Sequence, residues 1–187
     1  MSSPEPTPKG RLIAVIGPSG AGKDSVMDGL CAARPELQSA RRVITRASTA
    51  GGEAFDAVSE ATFAMKAARG DFALHWQAHG LNYGIPTGVQ EALDRGLDVL
   101  ANLSRGALAE AEGVFENMVV LHITAPPDVL AQRVARRGRE MGRDAAARLT
   151  RPAPALPDGL KVIEIDNSGS LADSIATALD ALYPDRG

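Results

Sequence analysis

Eight consecutive residues, Gly17-Pro18-Ser19-Gly20-Ala21-Gly22-Lys23-Asp24, carry the clearest chemistry in this 187-residue chain. Glycines at 17, 20 and 22 allow backbone conformations closed to other residues, so successive N–H groups can converge on the oxygens of a phosphate at a positively polarised helix start. Lys23 adds a mobile point charge suited to the outer phosphates of a triphosphate. The motif needs a strand before it and a helix after it. Arg11 to Ile16 is an apolar run short enough for a buried strand, and Asp24 to Ala33 can form the helix.

The last position departs from the usual pattern, in which a Ser or Thr hydroxyl touches Mg²⁺. Here it is a carboxylate, Asp24. The apolar strands 98–103 and 119–124 end without an acidic residue, so Asp24 can supply a hard oxygen ligand to Mg²⁺, directly or through water. Alternatively Asp24 simply occupies a first helical turn, where negative charge is favourable. Ser25 cannot take over the role, because one residue along a helix turns a side chain by about 100°.

The elements that must position this loop follow from punctuation and periodicity. Arg41 to Arg46 reads as a short strand, and Ser59 caps a helix that ends near Arg69 before Gly70. Phe72 to Trp76 reads as extended, His79 to Pro86 as a loop, and Pro86 as the opening of a helix to about Arg95. A strand at 99–103, a helix from about Arg105, a strand at 118–124 and an amphipathic helix from Pro126 to Arg137 come next. A last strand at Lys161 to Asp166 and a closing helix from Ser170 to Leu182 complete the chain. Alternating strands and helices predict an α/β fold: a central parallel sheet flanked by helices, with a small acceptor-binding subdomain at about 41–96 and an arginine-rich lid at about 137–146. Residues 1–9, rich in proline, read as a flexible leader to a single domain spanning 10–187.

With 44% hydrophobic and 23% charged residues, the chain has material for one substantial core. A net charge of −3 argues against a general nucleic-acid binder, since polyanions are held by accumulated Lys and Arg. The only cysteine, Cys31, cannot build an internal disulfide and suits core packing. No secretory leader or membrane-length apolar segment is present, so a cytoplasmic location is expected, while oligomeric state is not legible.

Over nearly its whole length the chain resembles the nucleoside-monophosphate kinase fold, and within it the guanylate-kinase-like group of P-loop kinases. The resemblance rests on GPSGAGK, Thr45-Arg46 followed by Gly52-Glu53, Val58-Ser59, His79-Gly80-x-x-Tyr83-Gly84 and the arginine-rich lid. Gly17 to Ser25, Arg42 to Arg46, Gly51 to Glu53, Ala78 to Pro86 and Ile165 to Leu171 are more closely similar to the ribose 1,5-bisphosphate phosphokinases of phosphonate catabolism. That resemblance implies ATP with Mg²⁺ as donor, a phosphorylated ribose as acceptor and 5-phosphoribosyl 1-diphosphate as product. Departures from the guanylate kinase pattern agree with it. A tyrosine ahead of Val58 is missing, with Phe55 the nearest aromatic, Thr49 replaces an arginine, and the guanine-reading glutamate falls near Trp76 or Gln77. A purine edge without its charged acceptor is poorly paired.

On this reading Lys23 and the lid-side Arg133, Arg137, Arg139 and Arg143 neutralise charge on the transferring group. Arg42 and Arg46 clamp an acceptor phosphate with forked donors that a lysine cannot match. Glu53 accepts from a sugar hydroxyl or orients an arginine, and His79 and Tyr83 donate to phosphate or sugar oxygens. Asn102 and Arg105 follow a strand whose carboxyl end borders the ligand cleft. Asp166 and Asn167, by resemblance, flank the adenine. Two other functions stay open at this level: a nucleoside-monophosphate kinase of relaxed base choice, and a non-catalytic binding module.

Overall fold

In the computed structural model the described residues are 8–47, 54–137 and 154–184. Glu53, Arg139, Arg143 and Thr49, most of the leader and most of the lid segment lie outside them, as does the side chain of Arg137.

The apolar run Leu12–Ile16 forms β1, every residue of which is buried. Glycine at 22 then starts α1 (Lys23–Ala33), which leads into the short strand β2 (Gln38–Ser39). Strands β7 (Val99–Asn102), β8 (Met118–Thr124) and β9 (Val162–Asp166) complete a five-stranded sheet in the order β2-β7-β1-β8-β9, and every neighbouring pair is parallel. Such a sheet needs apolar cover on both faces. Leu12, Ala14 and Ile16 pack toward α3 (Gly88–Asp94) and α4 (Leu108–Val114). Ile13 and Val15 pack on the opposite side with Val26 and Leu30 of α1, Leu130 of α5 (Pro127–Arg137), and Ala178 and Leu182 of α6 (Leu171–Leu182). Among the described residues no helix is long and apolar enough to cross a membrane.

A second sheet is built from the segment expected to handle the acceptor. It orders β4 (Phe55–Ala57), β3 (Arg42–Ile44), β6 (Leu81–Pro86) and β5 (Phe72–Ala78). The expected loop at 79–86 is therefore mostly strand. Its turn is only His79-Gly80, with φ of 53° and 73°, the left-handed pair that joins strands in a tight hairpin. Pro86 closes β6 instead of opening a helix, and α3 begins two residues later at Gly88. A proline is tolerated at a strand end because no further ladder hydrogen bond is required of its nitrogen. α2 (Glu60–Ala68) starts as expected, with Ser59 accepting a hydrogen bond from the Thr62 N–H. It covers the outer face of β5, where Phe63 stacks on Phe72 at 4.7 Å and meets the edge of exposed His75.

At the opposite end of the main sheet from the phosphate loop, a charged pin joins three chain segments. Asp98 accepts from the Arg11 backbone at 2.7 Å, from the Arg11 guanidinium at 2.7 and 3.1 Å, and from the Tyr183 hydroxyl at 2.8 Å. Arg34 lies 3.7 Å over the Tyr183 ring. Burial acts to raise the Asp98 carboxyl, but the hydrogen bonds from Arg11 and Tyr183 outweigh it and hold it below the usual range. Burial and the bond to Asp98 push the Tyr183 phenol up to about 12. Because the Asp98 carboxyl is depressed on folding, its contribution is complete above the unfolded carboxylate range and is lost as pH falls through the folded value. Replacing Asp98 with Asn should lower the unfolding free energy by about 2 kcal/mol near neutrality. Urea titrations at falling pH should show the gap between variant and parent closing as the parent's carboxyl takes up its proton.

Candidate phosphoryl-transfer site

The five parallel strands of the main sheet have their carboxyl ends at one edge, where the loop after β1 lies. Gly17 sits so close to β8 that a Cβ on it would fall 2.2 Å from the Ile123 carbonyl oxygen. Gly22, the N-cap of α1, has φ 89° and ψ 24°, and a Cβ there would fall 2.5 Å from Asn167 Nδ2. Both positions require glycine on space as well as backbone grounds. Lys23 folds back over the loop, its ammonium donating to the Gly17 carbonyl at 2.8 Å and the Pro18 carbonyl at 3.3 Å.

A line of contacts runs from this loop to the second sheet. Asn102, buried at the end of β7, donates from Nδ2 to Asp24 Oδ1 at 3.4 Å. The Asn102 carbonyl accepts from Arg42 at 3.0 Å. Arg42 is 9% exposed, and its guanidinium lies 5.1 Å over the Tyr83 ring. Tyr83 in turn stacks on Trp76 at 5.3 Å and 9°. Because β6 lies between β3 and β5, Arg42 and Trp76 flank Tyr83 from its two sides. Burial lowers Arg42 to about 10, against the pull of Tyr83 and Asp24, while Arg46 pushes the same way as burial. It remains a cation near neutral pH.

Arg46 is half-buried, with its guanidinium 4.5 Å over Phe55. The structure thus brings Asp24, Asn102, Arg42 and Tyr83 together, with Arg46 electrostatically close to Arg42. Of the two residues expected near the guanine-reading position, Trp76 faces inward with Leu74, Tyr83 and Ile85, whereas Gln77 lies outward and bonds Asn82. The inward face of β5 carries no carboxylate.

Other expected site residues have different surroundings. His79 is exposed at the hairpin turn, where its positive φ serves the strand reversal. Arg105 donates to Pro154 O at 3.2 Å and sits 3.0 Å from His122 Nε2. A guanidinium only donates, so Nε2 accepts and the His122 proton resides on Nδ1. Arg133 donates to the Asn167 carbonyl at 2.7 Å and to Gly20 O at 3.5 Å, engaging the loop's own backbone. Asp166 ends β9 exposed and accepts from the Ser168 N–H. Asn167 is 4% exposed, with its amide bonded to Ala21 O and to Ser174. Ser174, Trp76 and His122 were not expected in these roles. Alternation along β5 alone was enough to place Trp76 beside Tyr83 once the hairpin is recognised.

A parallel sheet carrying a glycine loop with a lysine on β1, faced by a small sheet that presents arginines, defines a P-loop kinase of the guanylate kinase fold. The guanylate kinase of Anaplasma phagocytophilum superposes with a TM-score of 0.67 at 19% identity, covering 96% of this chain and 89% of that one. A sugar kinase from Janibacter has a TM-score of 0.57 at 16% identity, covering 94% of this chain and 95% of that one. No protein-family model matches the chain. The chain is 50% identical over 179 residues to a ribose 1,5-bisphosphate phosphokinase PhnN of Ruegeria sp., covering 95% of this chain and 94% of the relative. It is 45% identical over 179 residues to the protein of that name from Agrobacterium fabrum, covering 94% and 98%. The chain belongs to the ribose 1,5-bisphosphate phosphokinase family.

Burial depresses His122, the Arg105 charge depresses it further, and Glu164 opposes both. Its neutral form is the one that accepts from Arg105, so stability contributed here is intact above the unfolded histidine value and declines as pH drops toward the folded one. Thermal unfolding followed from about pH 7 to pH 5 should therefore show a downward slope that is flatter in His122→Gln, whose amide oxygen can still accept from Arg105.

Proposed function

We propose that the enzyme transfers the γ-phosphoryl group of ATP to the 1-phosphate of ribose 1,5-bisphosphate, giving 5-phospho-α-D-ribose 1-diphosphate and ADP, a step serving phosphonate breakdown. The observation that supports this best is the line from Asp24 through Asn102 to Arg42 and the Tyr83–Trp76 stack. On this reading it links the proposed triphosphate loop to a cationic acceptor pocket, and β5 offers no carboxylate to read a base.

The backbone N–H groups of residues 19–24 and the Lys23 ammonium would grip the donor, Lys23 exchanging its Gly17 and Pro18 carbonyls for phosphate oxygens. Mg²⁺, when bound, would supply neutralisation of the phosphate charge. Asp24 is the loop residue that would face it, and Asn102 would keep that carboxylate aimed. Arg42 and Arg46 would hold the acceptor's phosphates. An acceptor phosphate is already anionic near neutrality, so an oxygen of the 1-phosphate can bond to the γ-phosphorus as the β–γ bridge breaks, the electron pair leaving with ADP. No general base is required. Arg133 would bear on the donor side, with Arg137 and Arg139 closing over the transferring group. Glu53 and His79 would meet the sugar, and Arg105 would border the same cleft. Asp166 would flank the adenine. We place the enzyme in the cytoplasm, with no nucleic-acid or membrane partner.

Purified enzyme offered ribose 1,5-bisphosphate, GMP, dGMP and other monophosphates with ATP should turn over the bisphosphate at least about 100-fold more efficiently than any nucleotide. Strong GMP turnover with an idle bisphosphate would make it a nucleoside-monophosphate kinase. Asp24→Ala should cut kcat with Mg²⁺ by about 100-fold while leaving ATP affinity in excess chelator within about twofold, read by steady-state kinetics and calorimetry. Equal losses in both would remove Asp24 from the metal.

A further inference from the structure

Asn167 is tied to four separate parts of the molecule. Its backbone N–H donates to Thr124 O of β8 at 2.8 Å, and its carbonyl accepts from Arg133 of α5 at 2.7 Å. Its side-chain Nδ2 donates to Ala21 O in the phosphate loop at 2.8 Å, and its Oδ1 accepts from Ser174 Oγ of α6 at 2.8 Å. The amide orientation follows from chemistry. Ala21 O can only accept, so the NH₂ end must face it, and the remaining oxygen needs a donor. Ser174, 4% exposed, supplies one, at a shorter distance than its alternatives, Ser170 O at 3.3 Å and Asp166 O at 3.4 Å.

We infer that Ser174 and Asn167 are a pair of positioning residues that set the phosphate-receiving shape of the loop by holding the Ala21–Gly22 peptide in one orientation. The peptide is planar and trans, so its C=O and the following N–H point in opposite directions. Drawing Ala21 O onto Asn167 turns the Gly22 N–H away from Asn167, leaving it for the anion that the loop is proposed to receive. The missing Cβ of Gly22 is what lets the amide approach. Without the amide the peptide can flip, presenting a carbonyl to the phosphates in place of an N–H. Ser174 acts one step back, by fixing which end of the amide meets Ala21.

This inference rests on the loop binding the triphosphate of ATP, and the test separates the two. Calorimetry with ATP, ADP and adenosine is run on the parent, Asn167→Leu, Ser174→Ala and Ser174→Thr, well below each melting temperature. Leu matches the shape of Asn without its donor and adds no charge beside the phosphates. Asn167→Leu should weaken ATP by about tenfold and leave adenosine unchanged. Ser174→Ala should weaken ATP by about threefold, and Ser174→Thr, which keeps the hydroxyl, should restore it. In kinetics the KM for ATP should rise while that for the acceptor stays put. Parent-like ATP affinity in folded Asn167→Leu, or equal weakening of ATP and adenosine, would overturn the pair's role and leave the kinase reading standing. If Asn167→Leu does not fold, parent-like affinity in Ser174→Ala decides against it. A parent that binds no ATP would instead sink the reading on which the inference stands.

Discussion

Strand β1 is hydrogen-bonded on both edges and apolar on both faces, with all five of its residues buried. A strand so placed cannot shift register without turning buried side chains against the pattern of both cores. Its carboxyl end is therefore a fixed point, and the loop that leaves it inherits that fixity. Gly17 abuts the Ile123 carbonyl of β8, and Gly22 abuts the Asn167 amide beyond β9. The loop is thus held from the strand on one side of β1 and from the strand beyond that, so that its N–H groups need little rearrangement to receive an anion. Preorganisation of this kind is where phosphoryl transfer gains most, since positioning and charge neutralisation dominate its catalysis.

Placing Arg42 out of water is the second commitment. A guanidinium that is 9% exposed has lost most of its hydration, and burial lowers it to about 10. The cost is offset by the Asn102 carbonyl, by the Tyr83 face and by attraction to Asp24. A desolvated cation interacts more strongly with an arriving phosphate than a surface one, because less solvent screens the pair. Asn102 serves both sides, its amide on Asp24 and its carbonyl on Arg42. The proposed donor and acceptor ends of the cleft are consequently joined by the backbone and side chain of one buried residue.

Local signals that act within a few residues were legible in the sequence. The β1–loop–α1 unit, the Ser59 cap, the helix that starts at Ser170 and the parallel main sheet follow from apolar runs, glycines and hydroxyls read in place. The second sheet was not, because its strands are short, half-exposed and interrupted by Gly84 and Pro86, and their pairing comes from partners distant in the chain. The candidate site divides along the same line. Gly17 to Asp24, Arg42, Arg46 and Asn102 carry their chemistry in their types and motif positions. The contact that gives Asn167 its surroundings is made by Ser174 on α6 and Ala21 in the loop, 146 residues away, and no local pattern encodes it.

The stack on Tyr83 bears on which acceptor the cleft can take. Trp76 stacks on the ring from β5 and the Arg42 guanidinium lies over it from β3, so the one inward aromatic of β6 already has two partners. A purine entering here would find no carboxylate on β5 to pair its N–H edge, and it would compete with Trp76 and Arg42 for the Tyr83 ring. A phosphorylated sugar asks for neither. It needs donors at fixed places, and a buried arginine in contact with Asn102 and Tyr83 would supply them with little loss of freedom on binding. On the proposed role of Arg42, the same stack that makes it costly to bury favours acceptors whose recognition is carried by phosphate and hydroxyl oxygens.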